Sequence, residues 1–433
     1  MLSPDYLLHV SESAENIAEA IHSDCIKRIV DRITARLGRG DDYVLTSTDV
    51  WQINTLQDAG FLLEDIQREI AQKTPLLQRE VADAMEEVGV KALSYDNELY
   101  RRVGILPPLD GMTEAVAADI ELRESPYYIR LAQRNYEATM GELANFTRTM
   151  PQQAYQLYMR ECDKAYQNVM TGSVSYTQAF TEAINEICKE GVSVVSPSGH
   201  KDTIETATLR AVRTGAAQAS EEISITRQKE IGPPLRITSS HIGARPSHEL
   251  WQGEVFWVDW NKLNAAYPSL AGGPEPEKPT PEMMRKYREF VEATEIGTVG
   301  GLAGVNCRHT SSVYYEGMPN PFTDYDSAEN KRIYDLTQRQ RTLERRIRKT
   351  KRETMGLKEA TDKATGEARE AIERDYQRKA ALLQKQNKAY SDFCKENDLR
   401  PLSERLQIAQ WDRKQAAAAR AAARKYNNRK EKK

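Results

Sequence analysis

Apolar residues recur at helical spacing along most of this chain, and that periodicity leaves little room for a fold that is not mainly α-helical. The clearest stripe follows Ser13: Ile17, Ile21, Cys25, Ile29, Ile33 and Leu37 succeed one another at intervals of four, and Ile26 and Val30 widen the face. Gly38 stands where that helix should stop. Side chains spaced this way share one face of a helix, so the row reads as a buried stripe with a polar back. Further helices are expected over residues 49–73, 75–103 and 125–149. Pro75 suits a first helical turn, where its missing N–H has no intrahelical partner to lose. Pro107-Pro108 forbids helix where it stands. A second helical block is expected over 151–225, broken near Gly172 and across 191–199.

The pattern changes after Gly232-Pro233-Pro234. Residues 235–240, 253–260 and 311–315 are branched, aromatic or alternating, which suits short strands of a small sheet. Residues 272–281 hold two glycines and four prolines and read as a loop. A short helix over 282–293 and a glycine-rich loop over 297–304 come next. Two heptad-like seams close the chain: Ile333, Leu336, Gln340, Leu343, Ile347 and Thr350, then Ile372, Tyr376, Lys379, Leu383, Gln386, Tyr390 and Phe393. Residues 354–366 are expected to turn one helix back on the other, or the seams pair with another subunit. A third, alanine-rich helix is expected beyond Pro401. The expected fold is mainly α. It comprises a helical N-terminal body (1–150), a module of helices followed by a small α+β unit (151–325), and a basic, coiled-coil-like helical hairpin and tail (326–433).

The net charge of −3 hides a strong polarity. Residues 331–433 carry 30 Lys and Arg against 15 Asp and Glu, a surplus of +15, which leaves −18 on residues 1–330. An acidic body with a basic end is the pattern of a protein that touches DNA or an acidic protein surface with that end. Arg345, Arg346, Arg348, Lys349, Lys351 and Arg352 lie in one helical run and are the candidate contacts to phosphate or to an acidic partner. No aromatic residues interleave with them for base stacking, and a solvated helix face is the plainer reading. The first ten residues show neither a basic nor an apolar leader, and no stretch is apolar enough to span a bilayer, so no membrane partner is expected. Five scattered cysteines, an odd number, point to reduced thiols in a cytoplasm. Phosphate-binding loops, dinucleotide fingerprints and serine-hydrolase elbows are missing.

One cluster merits a site hypothesis. His241, His248 and, about fifty residues later, Cys307-Arg308-His309 gather half of the six histidines with a cysteine. Imidazole and thiolate are ligands that zinc prefers, so His248, Cys307 and His309 are candidate zinc ligands, with His241 as the candidate fourth. The spacing is not that of a standard zinc finger, and hydrogen bonding where two loops meet is the plainer alternative. A Cys-His nucleophile built on Cys307 would need the same residues to converge. Zinc-deaminase chemistry is excluded, since Glu249 follows His248 directly and no second cysteine lies near Cys307.

Residues 241–256 and 301–315 resemble the phage proteins grouped as phage minor capsid protein 2, related to the Mu F-like head morphogenesis proteins. The resemblance is carried by Ala244-Arg-Pro-Ser-His248-Glu-Leu-Trp-Gln-Gly253-Glu-Val-Phe256 and by Gly304-Val-Asn-Cys307-Arg308-His309. It extends to the helical pattern over 338–349. Arg245, His248, Gly253, Cys307, Arg308 and His309 match the family's signature positions. His309 stands where many Mu F-like relatives carry a second cysteine, and the proline that commonly precedes that motif is missing. The resemblance implies a structural, non-enzymatic component of the virion, made in the bacterial cytoplasm and present in few copies at the portal vertex. There it would act in head assembly, oligomeric in the particle, with portal and capsid proteins as partners, touching or accompanying packaged DNA. The alternative is a virion-delivered enzyme or toxin-like effector using the His/Cys site.

Overall fold

The computed structural model of the chain describes residues 1–37, 48–270 and 274–431; Gly38 and the glycines at 272–273 lie outside them. The N-terminal part is helical: α1 (Pro4–His9), α2 (Glu12–Leu37), α3 (Thr48–Arg102), α4 (Glu114–Glu124), α5 (Pro126–Met170) and α6 (Tyr176–Glu190). Strands β1 (Ser193–Val195) and β2 (Lys201–Thr203) form a small antiparallel hairpin, and α7 (Ile204–Ile231) follows. The mixed part then runs β3 (Leu235–Thr238), α8 (Pro246–Glu249), β4 (Val255–Trp257), α9 (Trp260–Ala266), α10 (Pro281–Lys286), β5 (Arg288–Glu289), α11 (Phe290–Thr294) and β6 (Ser311–Val313). Three helices end the chain: α12 (Ser327–Lys363), α13 (Gly366–Glu396) and α14 (Arg413–Glu431). The fold is mainly α.

Four differences from the periodicity are instructive. Pro75 does not start a helix; it lies inside α3, and Pro151 likewise lies inside α5. An internal proline costs a helix about 3 kcal/mol through one lost hydrogen bond and a clash. Buried residues on both sides of each proline, Ile70 and Leu77 in α3, Met150 and Ala154 in α5, offset that cost by packing. The helix expected over 282–293 is split, because Arg288–Glu289 pairs in parallel with Phe256–Trp257. Glu289 then caps α11, accepting from the amides of Val291 (2.9 Å) and Glu292 (2.7 Å). Finally, residues 354–363 continue α12, and the reversal falls at Ala364-Thr365.

The chain divides into two compact units, each gathered from three stretches. Unit 1 is Met1–Ala14, Gln78–Leu143 and Thr208–Thr337; unit 2 is Glu15–Leu77, Ala144–Ala207 and Gln338–Lys433. Every boundary falls inside a helix.

Unit 1 holds a four-stranded sheet of order β5-β4-β3-β6, with β3 antiparallel to both of its neighbours. Against it packs an apolar core that includes Ile225, Trp251, Phe256, Val258, Leu263, Phe290, Leu302 and Cys307. Arg236 of β3 is fully buried and donates to Ser311 Oγ (2.9 Å), Gln228 Oε1 (2.6 Å) and Ser224 Oγ (3.0 Å), with Glu221 at 3.4 Å. Glu221 in turn accepts from Ser311 N and Oγ, both at 2.5 Å. This buried pair ties α7 to β3 and to the edge strand β6, and hydrogen bonds to neutral groups complete its shell, as a buried charge requires.

In unit 2 the predicted stripe of α2 is the core: Ile21, Cys25, Ile29 and Ile33 have no exposed surface. Helices α12 and α13 form an antiparallel hairpin, in which Tyr390 donates to Glu344 (3.1 Å) and Lys379 to Glu353 (2.5 Å). Ile347, Leu383, Tyr390 and Cys394 pack between them, with Leu343 and Phe393 alongside. Among the described residues no helix is long and apolar enough to cross a membrane. All five cysteines are buried and unpaired.

Candidate functional site

Three short segments of unit 1 build the site. The first is the turn from β3 into α8, where Arg245 occupies the N-cap and Pro246 the first helical position, and where His248 closes a single turn by donating its N–H to Arg245 O (2.9 Å). Asn330 holds that turn from below: its Oδ1 accepts from the amides of Gly243 (2.8 Å) and Ala244 (3.0 Å), and its Nδ2 donates to Ala244 O (3.2 Å). Gly253 ends the segment with a left-handed φ of 72°, a conformation that favours glycine, and leads into β4. The second segment is the loop 297–304. Gly301 is required there by space, since a Cβ would lie 2.0 Å from the Glu295 carbonyl oxygen. The third is Cys307-Arg308-His309, set against β3 by paired bonds between Ser239 and Thr310: Ser239 N to Thr310 O (2.8 Å) and Thr310 N to Ser239 Oγ (3.0 Å).

His248, Cys307 and His309 converge, all buried. The two Nδ1 atoms are 3.3 Å apart, and Cys307 Sγ lies 3.7 Å from that of His248 and 3.8 Å from that of His309. Their outer nitrogens are committed. His248 Nε2 donates to the Gly300 carbonyl (2.8 Å), which can only accept. His309 Nε2 faces Gln252 Oε1 (3.1 Å), an oxygen that also accepts the His241 backbone N–H (3.1 Å) and is identified as oxygen by that amide. In a neutral imidazole one nitrogen donates and the other accepts, so both Nδ1 atoms present lone pairs to each other. Burial, with Arg245 adding, pushes His248 down to about 4. Burial, with the neighbouring histidines and Arg308, holds His309 well below its ordinary value. The Cys307 thiol is pushed up by burial to about 11.

The other expected site residues surround this group. His241 stacks on His309, with centroids 4.3 Å apart, while its Nδ1 lies 3.1 Å from the Ile242 carbonyl and 3.3 Å from the Arg308 guanidinium. Arg245 donates to the Val305 carbonyl (2.8 Å). Trp251 covers both imidazole rings, with centroids 4.6 and 4.9 Å away. Gln252 and Asn330, which orient the group, carry no signal of their own in the sequence, and Gly300 acts through its backbone alone. For nucleophilic chemistry the environment runs the wrong way, because burial raises the thiol where an activated cysteine needs it lowered. A cleft of about 550 Å³ bordered by Trp257, Asp259, Trp260 and Lys229 does not include the three residues in its wall.

Unit 2 gathers a second group, Glu19, His22 and Glu205. Here both imidazole nitrogens are used: Nδ1 meets Glu205 (2.9 Å) and Nε2 accepts the Val192 N–H (3.0 Å). Arg352 supplies the positive charge, 3.2 Å from Glu19 and 3.0 Å from Glu205.

The six expected basic contacts divide. Arg348 reaches Glu15 (3.5 Å), Lys351 donates to the Leu406 carbonyl (2.5 Å) and lies over the Trp411 ring, and Arg352 is held as above. Burial and Arg348 push Lys351 down to about 8. Arg345, Arg346 and Lys349 are exposed. On α14, Ala419, Ala422 and Ala423 are buried, while Arg413, Lys414, Arg420, Arg424 and Lys425 are exposed.

A family model described as phage minor capsid protein 2 matches residues 2–390. The chain is also similar to a protein of Lactococcus phage LL-H named "Structural protein", 23% identical over 331 residues that make up 76% of this chain and 81% of that protein. No solved structure matches it.

Proposed function

This chain belongs to the phage minor capsid protein 2 family, and from that premise we propose that it sits at the portal vertex of the head, related in role to the Mu F-like morphogenesis proteins. In this reading it binds portal and capsid subunits through helical surfaces during assembly and touches packaged DNA with its basic end. Family membership over nearly the whole chain carries the reading: a phage structural protein belongs to the virion and meets other head proteins there. Two features support the finer assignment. Large apolar side chains are exposed three residues apart on α3 (Ile53, Leu56) and four apart on α4 (Val116, Ile120), surfaces suited to other subunits. The charge surplus of the C-terminal region is carried outward by α14 and by Arg345, Arg346 and Lys349.

Quantitative mass spectrometry of purified mature particles, with cross-linking, tests the placement. The expected result is a small fixed ratio to the major capsid protein, with cross-links from α3 or α4 to the portal protein. A copy number equal to that of the major capsid protein, or cross-links confined to the capsid lattice, would refute the vertex assignment.

A further inference from the structure

We propose that His248, Cys307 and His309 bind a single zinc ion that clamps the α8 turn to the segment leading into β6. The distances between the donors are those of one face of a zinc tetrahedron. With Zn–N near 2.0–2.1 Å and Zn–S near 2.3 Å, tetrahedral angles place two nitrogens about 3.4 Å apart and each nitrogen about 3.6 Å from the sulfur. The observed edges are 3.3, 3.7 and 3.8 Å. A hydrogen-bonded cluster explains the same atoms poorly. Both Nδ1 atoms carry lone pairs, because Gly300 O and Gln252 Oε1 engage the protonated nitrogens. The thiol has one proton and can satisfy only one of them, whereas a cation satisfies both.

The outer contacts match those of metal-bound histidine, whose remote N–H is donated to a carbonyl or amide oxygen that fixes the ring. The Glu19, His22 and Glu205 group is the internal contrast. There each imidazole nitrogen already has a hydrogen-bond partner and Arg352 supplies the charge, so a metal has nothing to add.

On binding, the Cys307 S–H proton leaves to solvent and the thiolate, two neutral imidazoles and one Zn²⁺ share the charge. Three protein donors leave the fourth tetrahedral position to a water molecule. The clamp closes a loop of 59 residues between His248 and Cys307, across segments whose own strands are only three or four residues long. The ion therefore serves the folding of unit 1, whatever the protein's place in the head.

The test uses the full chain expressed in zinc-supplemented medium. Elemental analysis should find about one zinc per chain. Replacement with Co²⁺ should give the thiolate-to-cobalt charge-transfer band, lost in Cys307→Ser and weakened in His309→Ala. Should those variants fail to fold, chelator dialysis of the wild-type chain decides: melting should shift to lower temperature and recover with zinc but not with magnesium. A folded wild-type chain with far less than stoichiometric zinc and no cobalt band overturns the proposal, as does a band that survives Cys307→Ser.

Discussion

At Arg352 two buried carboxylates meet one guanidinium, and only one of them can keep its charge cheaply. Burial opposes ionisation of Glu205, but His22 and Arg352 together hold it well below the usual carboxylate range. Burial and the adjoining Glu205 charge push Glu19 up to about 8. The folded chain therefore keeps the Glu19 proton to a higher pH than the unfolded chain does, where the group titrates in the ordinary range. Stability from that proton is complete below the unfolded value and is lost as pH rises through about 8. The melting temperature should thus fall between about pH 5 and about pH 8 and level off above that, and Glu19→Gln should flatten the fall; equal slopes in both proteins would show that Glu19 is not its source. At this scale the sequence was a good guide to identity and a poor one to role. His248, Cys307 and His309 stood out as residue types, yet the partners that set their tautomers, Gln252 Oε1 and the Gly300 carbonyl, follow no pattern. Arg348, Lys351 and Arg352 looked like their exposed neighbours, because charge alone does not tell whether an acidic group, a carbonyl or a ring from a distant segment lies opposite.

Among the elements, the hairpin of α12 and α13 shows most directly what periodicity can and cannot supply. The seam residues Ile347, Leu383 and Tyr390 are buried as their spacing predicts. Ile347→Ala should therefore cost about 2–5 kcal/mol, through lost transfer energy and a cavity. Arg345→Ala, two residues away and exposed, should stay within about 0.5 kcal/mol of wild type. Urea titration of both variants checks this, and similar midpoints would mean that the seam does not hold unit 2 together. Helix ends proved less legible than helix faces. Prolines at 75 and 151 read as starts because local chemistry favours that position, whereas packing on both sides carried α3 and α5 through them. The break at Tyr287 had no local cause and came from sheet pairing with β4.

Over the whole molecule, the separation of charge makes its own prediction. If the basic end meets DNA, Arg345→Ala, Arg346→Ala and Lys349→Ala combined should weaken binding equally on unrelated sequences. The slope of log affinity against log salt should become shallower by about 3, near one per lost phosphate contact. Arg352→Ala is unsuitable as a companion because that guanidinium is held between Glu19 and Glu205; an unchanged slope in the triple variant removes DNA from the list of partners. By itself the sequence determined the helical class, the buried faces of α2, α12 and α13, the positions of the strands β3, β4 and β6, the family, and the residue types of the His/Cys group. Each of these rests on a spacing of a few residues or on a short motif, which the chain carries locally. The tertiary structure alone decided which stretches share a unit, which basic residues are neutralised inside, and that two histidines and a cysteine point their free electron pairs at one another. Those outcomes depend on contacts between residues tens to hundreds of positions apart, where burial and geometry, rather than local propensity, set the energy.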